Sequence, residues 1–385
     1  NTGKYVFSQL VDFLPQRVFD SIVTKYEGNK YVKHFTFWNH LLAMMFGQLT
    51  RRDSLRDLII AFEAHYRKRY HLGFGKNITR SNLSKANENR NNKIFEEYAY
   101  YMIDIARNKR ANSDFEIQGK VYAFDSTTID LCLSVFWWAK FRKFKAGIKI
   151  HTLYDICTQI PAFIHITEAS VNDMNAMDVI PYEYGAYYVF DRGYIDFKRL
   201  NKICNHSAYF VVRAKKNLKF KCNRLNKINE NTGVISDQVG TLAGFYASKD
   251  YPNEIRQVIY YDKESDKTFS YLSNNMELTA EQIALLYKNR WQVELFFKWI
   301  KQHLKIKSFW GNSENAVKIQ IYCAIISYCL VAIIEKELMI NKSTYEVLQV
   351  LSISLLDKTP INELFYKSDF NDVKELGLNQ FSLNF

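Results

Sequence analysis

Four side chains at fixed spacing carry the strongest chemical signal in the chain: Tyr287, Arg290, Glu294 and Lys301, in the pattern Tyr-x2-Arg-x3-Glu-x6-Lys. On a helix that advances about 100° per residue, they fall within roughly 60° of one another. One narrow face then holds a phenol, a guanidinium, a carboxylate and an ammonium, with Lys298 at its margin. Ion pairing at i, i+4 between Glu294 and Arg290 or Lys298 is the plain account of such a face. The neighbours Trp291, Val293, Leu295, Phe296, Phe297, Trp299 and Ile300 argue for more, because they leave little of the helix to solvent. A carboxylate held among cations beside a core suits a metal and a phosphate better than it suits solubility.

Two aspartates extend the pattern. Asp125 follows Val121-Tyr122-Ala123-Phe124, and Asp191 follows Tyr187-Tyr188-Val189-Phe190. Each is expected at the end of an apolar strand and ahead of a turn, Ser126-Thr127 and Arg192-Gly193 respectively. Strand ends are where α/β folds present ligands and catalytic groups. A lone strand-end Asp is usually a turn cap, but two of them with Glu294 form an acidic triad. Three gathered carboxylates repel one another unless hard cations lie between them, and Mg²⁺ suits such donors. Two ions about 4 Å apart could activate a water or a 3′-hydroxyl at a phosphodiester. No general-base His is then required, and His151 reads as a structural residue or a DNA contact. Other chemistries fit less well. Phe124-Asp125-Ser126-Thr127 lacks the second Asp of a phosphoaspartyl enzyme, and the chain has no phosphate loop, nucleophile elbow or His-Glu-x-x-His helix.

The elements that must position these groups follow from composition and period. At 385 residues, with 48% hydrophobic and 24% charged residues, the chain is a folded protein of two or three units. Net charge +12 favours a polyanionic partner, nucleic acid before an anionic membrane. The six Cys have neither zinc-site nor disulfide-framework spacing. No apolar signal core opens the chain, and the run from Ile321 to Ile334 is short for a bilayer span, so a cytoplasmic location is expected.

Residues 1 to about 115 read as helical and basic, with one helix around His34 to Gly47 and a second from Thr79 towards Ile105. Ile78 to Arg90 reads equally as a recognition helix after a turn or as a basic packing helix, with Arg80, Lys85 and Arg90 exposed. Strands are expected at 121–124, 147–154, 162–167 and 187–190, with a helix at 172–179, which together suggest a mixed α/β sheet. A β-rich insertion follows, with strands at 209–212, 245–247, 256–261 and 268–272. A capping box at Thr279-Ala-Glu-Gln282 then opens one long helix to about Leu304. The chain accordingly divides into a helical DNA-binding unit at 1–117, one core formed by 118–204 and 279–345 around the insertion 205–278, and a helical tail 346–385.

Asp125-Ser-Thr, Gly147-Ile-Lys-Ile-His151, Asp191-Arg-Gly-Tyr194 and the Tyr287/Arg290/Glu294/Lys301 helix together resemble, in order, the IS-four type DDE transposases of bacterial insertion sequences. The resemblance covers about Lys120 to Leu330, and the helical N-terminal part resembles the region preceding the catalytic domain in some of these elements. It implies an RNase H-like core interrupted by a β-rich insertion, with Asp125, Asp191 and Glu294 holding Mg²⁺ or Mn²⁺. It also implies that Tyr287, Arg290 and Lys301 grip transposon-end DNA near a phosphate and an extruded base. The reaction implied is nicking, hairpin formation, hairpin opening and strand transfer into double-stranded target DNA by a homodimer that pairs two ends. In some members a Trp of the insertion stacks on the extruded base. Residues 205–280 contain no Trp, leaving Tyr246, Tyr251, Phe269 or Trp291 for that role. Arg192 and Lys149 are expected at phosphates, and end recognition is expected within residues 1–115. Two other readings share parts of this pattern: a non-catalytic DNA-binding protein derived from such an element, and an RNase H-like nuclease without transposition.

Overall fold

The computed structural model describes residues 3–75, 78–111, 117–142, 145–229, 232–304, 306 and 308–365. Half of the helical tail expected over 346–385 lies outside them; its described half holds one helix and a short 3-10 turn.

Among the described residues six α-helices come first: α1 (Val6–Val11), α2 (Gln16–Lys25), α3 (Phe37–Leu49), α4 (Leu55–Ala64), α5 (Arg80–Asn89) and α6 (Asn92–Lys109). The basic N-terminal stretch is therefore helical, as its periodicity predicts. The helix expected from Thr79 towards Ile105 is broken in two. Asn91, in extended conformation, accepts from the Lys93 amide and caps a new helix. Segment 65–79 separates α4 from α5, too long a link for a tight helix-turn-helix.

The strands are β1 (Val121–Leu131), β2 (Lys140–Arg142), β3 (Lys145–Asp155), β4 (Ile160–Glu168), β5 (Tyr187–Phe190), β6 (Tyr209–Arg213), β7 (Phe220–Leu225), β8 (Val234–Leu242), β9 (Ile255–Asp262) and β10 (Lys267–Ser273). β4, β3 and β1 pair antiparallel, and β5 and β6 continue from β1 in parallel. The strands expected as a separate insertion continue the same sheet, because β10 pairs with β6 and leads on to β9, β8 and β7. Strand 209–212 is thus a parallel partner of β5. Residues 245–247 form part of a helix, α8 (Phe245–Asp250), where β-favouring Phe and Tyr lie exposed outside the sheet.

The central strands are apolar on both faces, the signature of parallel strands covered on two sides. Tyr122, Phe124, Tyr188, Phe190, Phe210 and Val212 pack towards α7 (Phe197–Asn205) and α8. Val121, Ala123, Tyr187, Val189 and Val211 alternate with them and face the main core. That core holds the N-terminal helices, α9 (Ala280–Lys288), α10 (Trp291–His303), α11 (Glu314–Glu337) and α12 (Thr344–Ser354). α11 is long and apolar enough to cross a membrane by composition, yet 94% of its most apolar 18-residue stretch is buried within the protein. None of the six Cys is in a disulfide. Gly47 sits in α3 because a Cβ there would collide with the Trp310 ring.

The core also holds an ionisable group kept neutral. His40 of α3 is fully buried, and its Nε2 lies 2.7 Å from Asn87 Oδ1. Burial, with Arg90 nearby, pushes its pKa down to about 3. The unfolded chain therefore binds a proton there below about pH 6.5 while the folded one does not. Stability from this site is complete above that pH and is lost as pH falls towards 3. Urea unfolding should show about 2 kcal/mol of pH-dependent loss between pH 7.5 and 5 from this group. That difference, whatever the absolute stability, should shrink by the same amount in His40→Gln; an unchanged difference would contradict the assignment.

Candidate active site

β1 and β5 run parallel, with Phe124 opposite Phe190 as their last paired residues. The next residue on each strand is Asp125 and Asp191. With a side-chain period of two, they continue the face of Ala123 and Val189, which is the face covered by α9 and α10. The turn expected after Asp125 is not formed: β1 runs on to Leu131, paired with β3, so Asp125 lies within the strand where its β5 neighbour leaves. Asp191 does end its strand, and a 3-10 turn, Arg192–Tyr194, follows.

The helix expected from 279 to 304 is also divided. Thr279 and Gln282 form the capping box, but the chain tightens at Asn289 and Arg290, where the amides of Arg290 and Val293 bond three residues back. The Asn289 side chain donates to the Leu285 carbonyl and accepts from Gln292, competing with the regular ladder. Tyr287 thus ends α9, Arg290 stands at the junction, and Glu294 and Lys301 lie on α10.

These elements meet at the two aspartates. Tyr287 Oη donates to Asp191 Oδ1 at 3.1 Å. The Arg290 guanidinium reaches Asp125 Oδ2 at 3.4 Å and also bonds Glu294, bridging two of the three carboxylates. Tyr194 Oη lies 3.5 Å from Asp125 Oδ1, tying the turn after Asp191 to the neighbouring strand. Burial raises the Asp125 pKa to about 6, helped by repulsion from Glu294 and Asp191 and opposed by the Ser126 amide and Arg290. Tyr287, half-buried beside Asp191, is raised to about 12.

Other expected contacts divide. Lys301 donates to the Thr128 carbonyl at 3.0 Å, three residues beyond Asp125 on β1. Lys149 is turned inward, with Nζ on the Val171 carbonyl at 2.7 Å and 3.2 Å from Asp173. Asp173 also accepts from Ser126 Oγ at 2.7 Å. His151 is buried, 3.0 Å from Thr167 Oγ1, and burial lowers its pKa to about 4, which supports the structural account of it. Arg192 and Lys298 are exposed. Of the aromatic candidates, Tyr251 is buried and Tyr246 stands exposed on α8. Phe269 and Trp291 instead share one pocket of about 220 Å³ with Tyr260, Tyr271, Tyr287 and Arg290. Asp173 and Tyr194 were not foreseen as part of the site; the only signal for either was the Asp191-Arg-Gly-Tyr194 run.

Among the described residues, no three His, Cys, Asp or Glu side chains are gathered closely enough to hold a metal ion. The donor chemistry nevertheless fits a divalent cation. Asp125, Asp191 and Glu294 offer hard-oxygen donors, and Arg290 answers the charge of Asp125 and Glu294, a task of which a bound cation would relieve it.

The sequence matches the transposase DDE domain over residues 116–330 and a domain of unknown function, DUF4372, over residues 2–75. It is 39% identical over 229 residues to y4zB of Sinorhizobium fredii, a protein whose name calls it a transposase; the match takes in 58% of this chain and 63% of that one. Two further relatives bear transposase names. One, from Geobacillus stearothermophilus, is named for the insertion sequence element IS5377, with 26% identity over 58% of this chain and 59% of its own. The other, from Synechocystis, is named for IS4SA, with 26% identity over 68% and 73%. The chain spans about three fifths of the length of the first two. With more than half of its residues matched, the chain belongs to the transposase DDE domain family.

Proposed function

We propose that the chain is a DNA transposase of the IS-four type, cutting and pasting its element through metal-dependent phosphoryl transfer at Asp125, Asp191 and Glu294. The observation that carries this reading is the register of β1 and β5, which ends one residue before two aspartates on the face that α9 and α10 cover. The strand order, three antiparallel strands followed by two parallel ones, supports an RNase H-like core. Transposase DDE domains use divalent metal ions, and the three carboxylates are the ligands proposed here for Mg²⁺ or Mn²⁺. When bound, such ions supply activation of the attacking oxygen and charge stabilisation at the leaving oxygen.

The side chains do the rest. Arg290 leaves the carboxylates for a phosphate oxygen, where a fork of N–H donors matches the anion. Tyr287, held by Asp191, borders both the carboxylates and the aromatic pocket, and Trp291 and Phe269 offer faces for an unstacked base. Lys301, Arg192 and Lys298 position the duplex without reading it. Lys149, engaged with Asp173, acts by fixing β3 against the site rather than by touching phosphate. The freed 3′-hydroxyl attacks the opposite strand, displaces the flanking DNA and closes a hairpin on the element's end. The protein works as a homodimer on two ends in the bacterial cytoplasm, associated with the nucleoid. Its first 117 residues bind DNA.

The test is cleavage of linear DNA carrying the element's own ends, with Mg²⁺. Hairpin-ended products are expected; binding without cleavage would favour a domesticated binding protein, and nicks without hairpins a plain nuclease. A second measurement addresses Arg290 directly. Because Arg290 competes with a cation for Asp125 and Glu294, Arg290→Ala should bind Mn²⁺ several-fold more tightly in calorimetry without DNA while cleaving less. Unchanged or weaker Mn²⁺ binding would mean that the carboxylates do not form the metal site.

A further inference from the structure

The N-terminal unit carries a second polar surface. α5 buries Leu83, Ala86 and Asn87 and exposes Arg80, Ser81, Asn82, Lys85, Glu88 and Asn89. Ahead of α3, the segment around Tyr31 to Phe35 lies across from it. Between them runs an open groove of about 580 Å³ lined by Tyr31, Lys33, His34, Asn82, Lys85 and Asn89. No carboxylate lines it among the described residues, though Glu88 is exposed elsewhere on α5. Arg90 builds the groove. Its guanidinium donates to the carbonyls of Phe35 and Thr36 and lies 4.5 Å from the Phe37 ring centroid, fixing one wall to the other. The exposure expected of Arg90 is therefore corrected: it is a packing residue, and Lys85 and Arg80 are the outward cations.

Tyr31 adds an independent mark. Its φ is +65°, a conformation that a bulky residue adopts at about 1–2 kcal/mol, while its side chain is 91% exposed. Exposed beside Lys33 and His34, its ring is open to a ligand lying in the groove.

The groove is coupled to the catalytic strand. Asn315, at the start of α11, donates to the carbonyls of Asn87 at 3.0 Å and Glu88 at 3.2 Å. The segment after β1 reaches the same corner, where Trp138 Nε1 donates to the Asn312 carbonyl at 2.6 Å and a cleft is lined by Ser84, Glu88 and the exposed Trp137.

We infer that the exposed face of α5 and the segment 31–34 form the surface that reads the element's end, with α5 in the major groove and Tyr31 and Lys33 on flanking phosphates. Amide and ammonium side chains on one helical face are the chemistry that distinguishes base edges, and a groove free of carboxylates complements a phosphate backbone. This inference rests on the transposase reading for the identity of the partner as duplex DNA, and adds where its sequence is read.

The test uses the full chain and a duplex library randomised over about two helical turns. The wild-type chain should select a motif. Lys85→Ala/Asn89→Ala should lose about 5- to 150-fold of its preference at one or two base pairs of that motif. Tyr31→Gly, which relieves the backbone, should keep its melting temperature and lose affinity for every sequence alike, and Lys33→Ala should reduce the slope of log affinity against log salt by about one. Selection of no motif, or of the same motif with the same slope by all variants, overturns the inference. Metal-dependent nicking of supercoiled plasmid, measured on the same proteins, is expected to persist in them. If the wild-type chain does not nick, the catalytic reading fails, and the library still decides the role of α5.

Discussion

Asp125→Asn, Asp191→Asn and Glu294→Gln are each expected to reduce strand cleavage by on the order of 10³-fold or more, while none of them unfolds the protein. The magnitude follows from the several kcal/mol of transition-state charge stabilisation that a lost ligand removes. The stability side follows from Asp125 itself. Its folded-state pKa of about 6 stands above the ordinary value of 3.8. A carboxyl shifted in this direction destabilises the fold progressively as pH rises from about 4 to 6, and that loss is complete above the folded-state value. At pH 7.5 the neutral Asn removes the loss, so the melting temperature of Asp125→Asn without metal should equal or exceed that of the wild-type chain. Mn²⁺ should raise the wild-type melting temperature and leave that of each variant nearly unchanged. A variant that melts early, or that keeps its response to Mn²⁺, would return its carboxylate to a structural role; cleavage at the wild-type rate would remove it from the chemistry.

Much of this site was legible because it obeys short-range rules. The apolar quartets ahead of Asp125 and Asp191 are strands buried on both faces, and such strands announce themselves as continuous apolar runs. Tyr287, Arg290 and Glu294 do converge, although one helix was expected where two are joined by a tightened turn; the Asn289 side chain that competes with the backbone is visible in the sequence, but its partners are not. What stayed hidden depends on tertiary pairing. Nothing local says that β1 continues past Asp125, because most of the residues after it are polar and are held only by pairing with β3. Nothing in Phe245-Tyr246-Ala247 distinguishes an exposed helix from a strand once packing is withheld. The edge-to-edge union of β10 with β6, which makes a presumed insertion the continuation of the core sheet, is a contact between segments some sixty residues apart. Lys149 looked available for phosphate because Asp173, its partner, comes from the turn after β4.

The largest loss of stability should come from a buried ion pair remote from the carboxylates. Arg256 of β9 and Asp237 of β8 form a bidentate pair with both contacts at 2.8 Å, and each side chain is only 4% exposed. The remaining donor capacity of Arg256 goes to the carbonyls of Asn275 at 3.3 Å and Leu278 at 2.5 Å, in the turn that ends at the Thr279 cap of α9. Asp237→Asn leaves a guanidinium buried without its counter-charge, and Arg256→Met leaves the carboxylate so; either should cost about 3–5 kcal/mol in denaturant unfolding. The double variant Arg256→Met/Asp237→Leu removes both charges and should recover most of that loss, since two desolvated ions then disappear together. Recovery of stability need not restore cleavage. The double variant still lacks the donor that holds the 275–278 turn, and α9 carries Tyr287 to Asp191 from that turn. Cleavage in the double variant should therefore stay below wild type well under its melting temperature, which separates positioning from folding. Equal stability of both single variants and the wild-type chain would show that the pair is solvated and exerts no hold on α9.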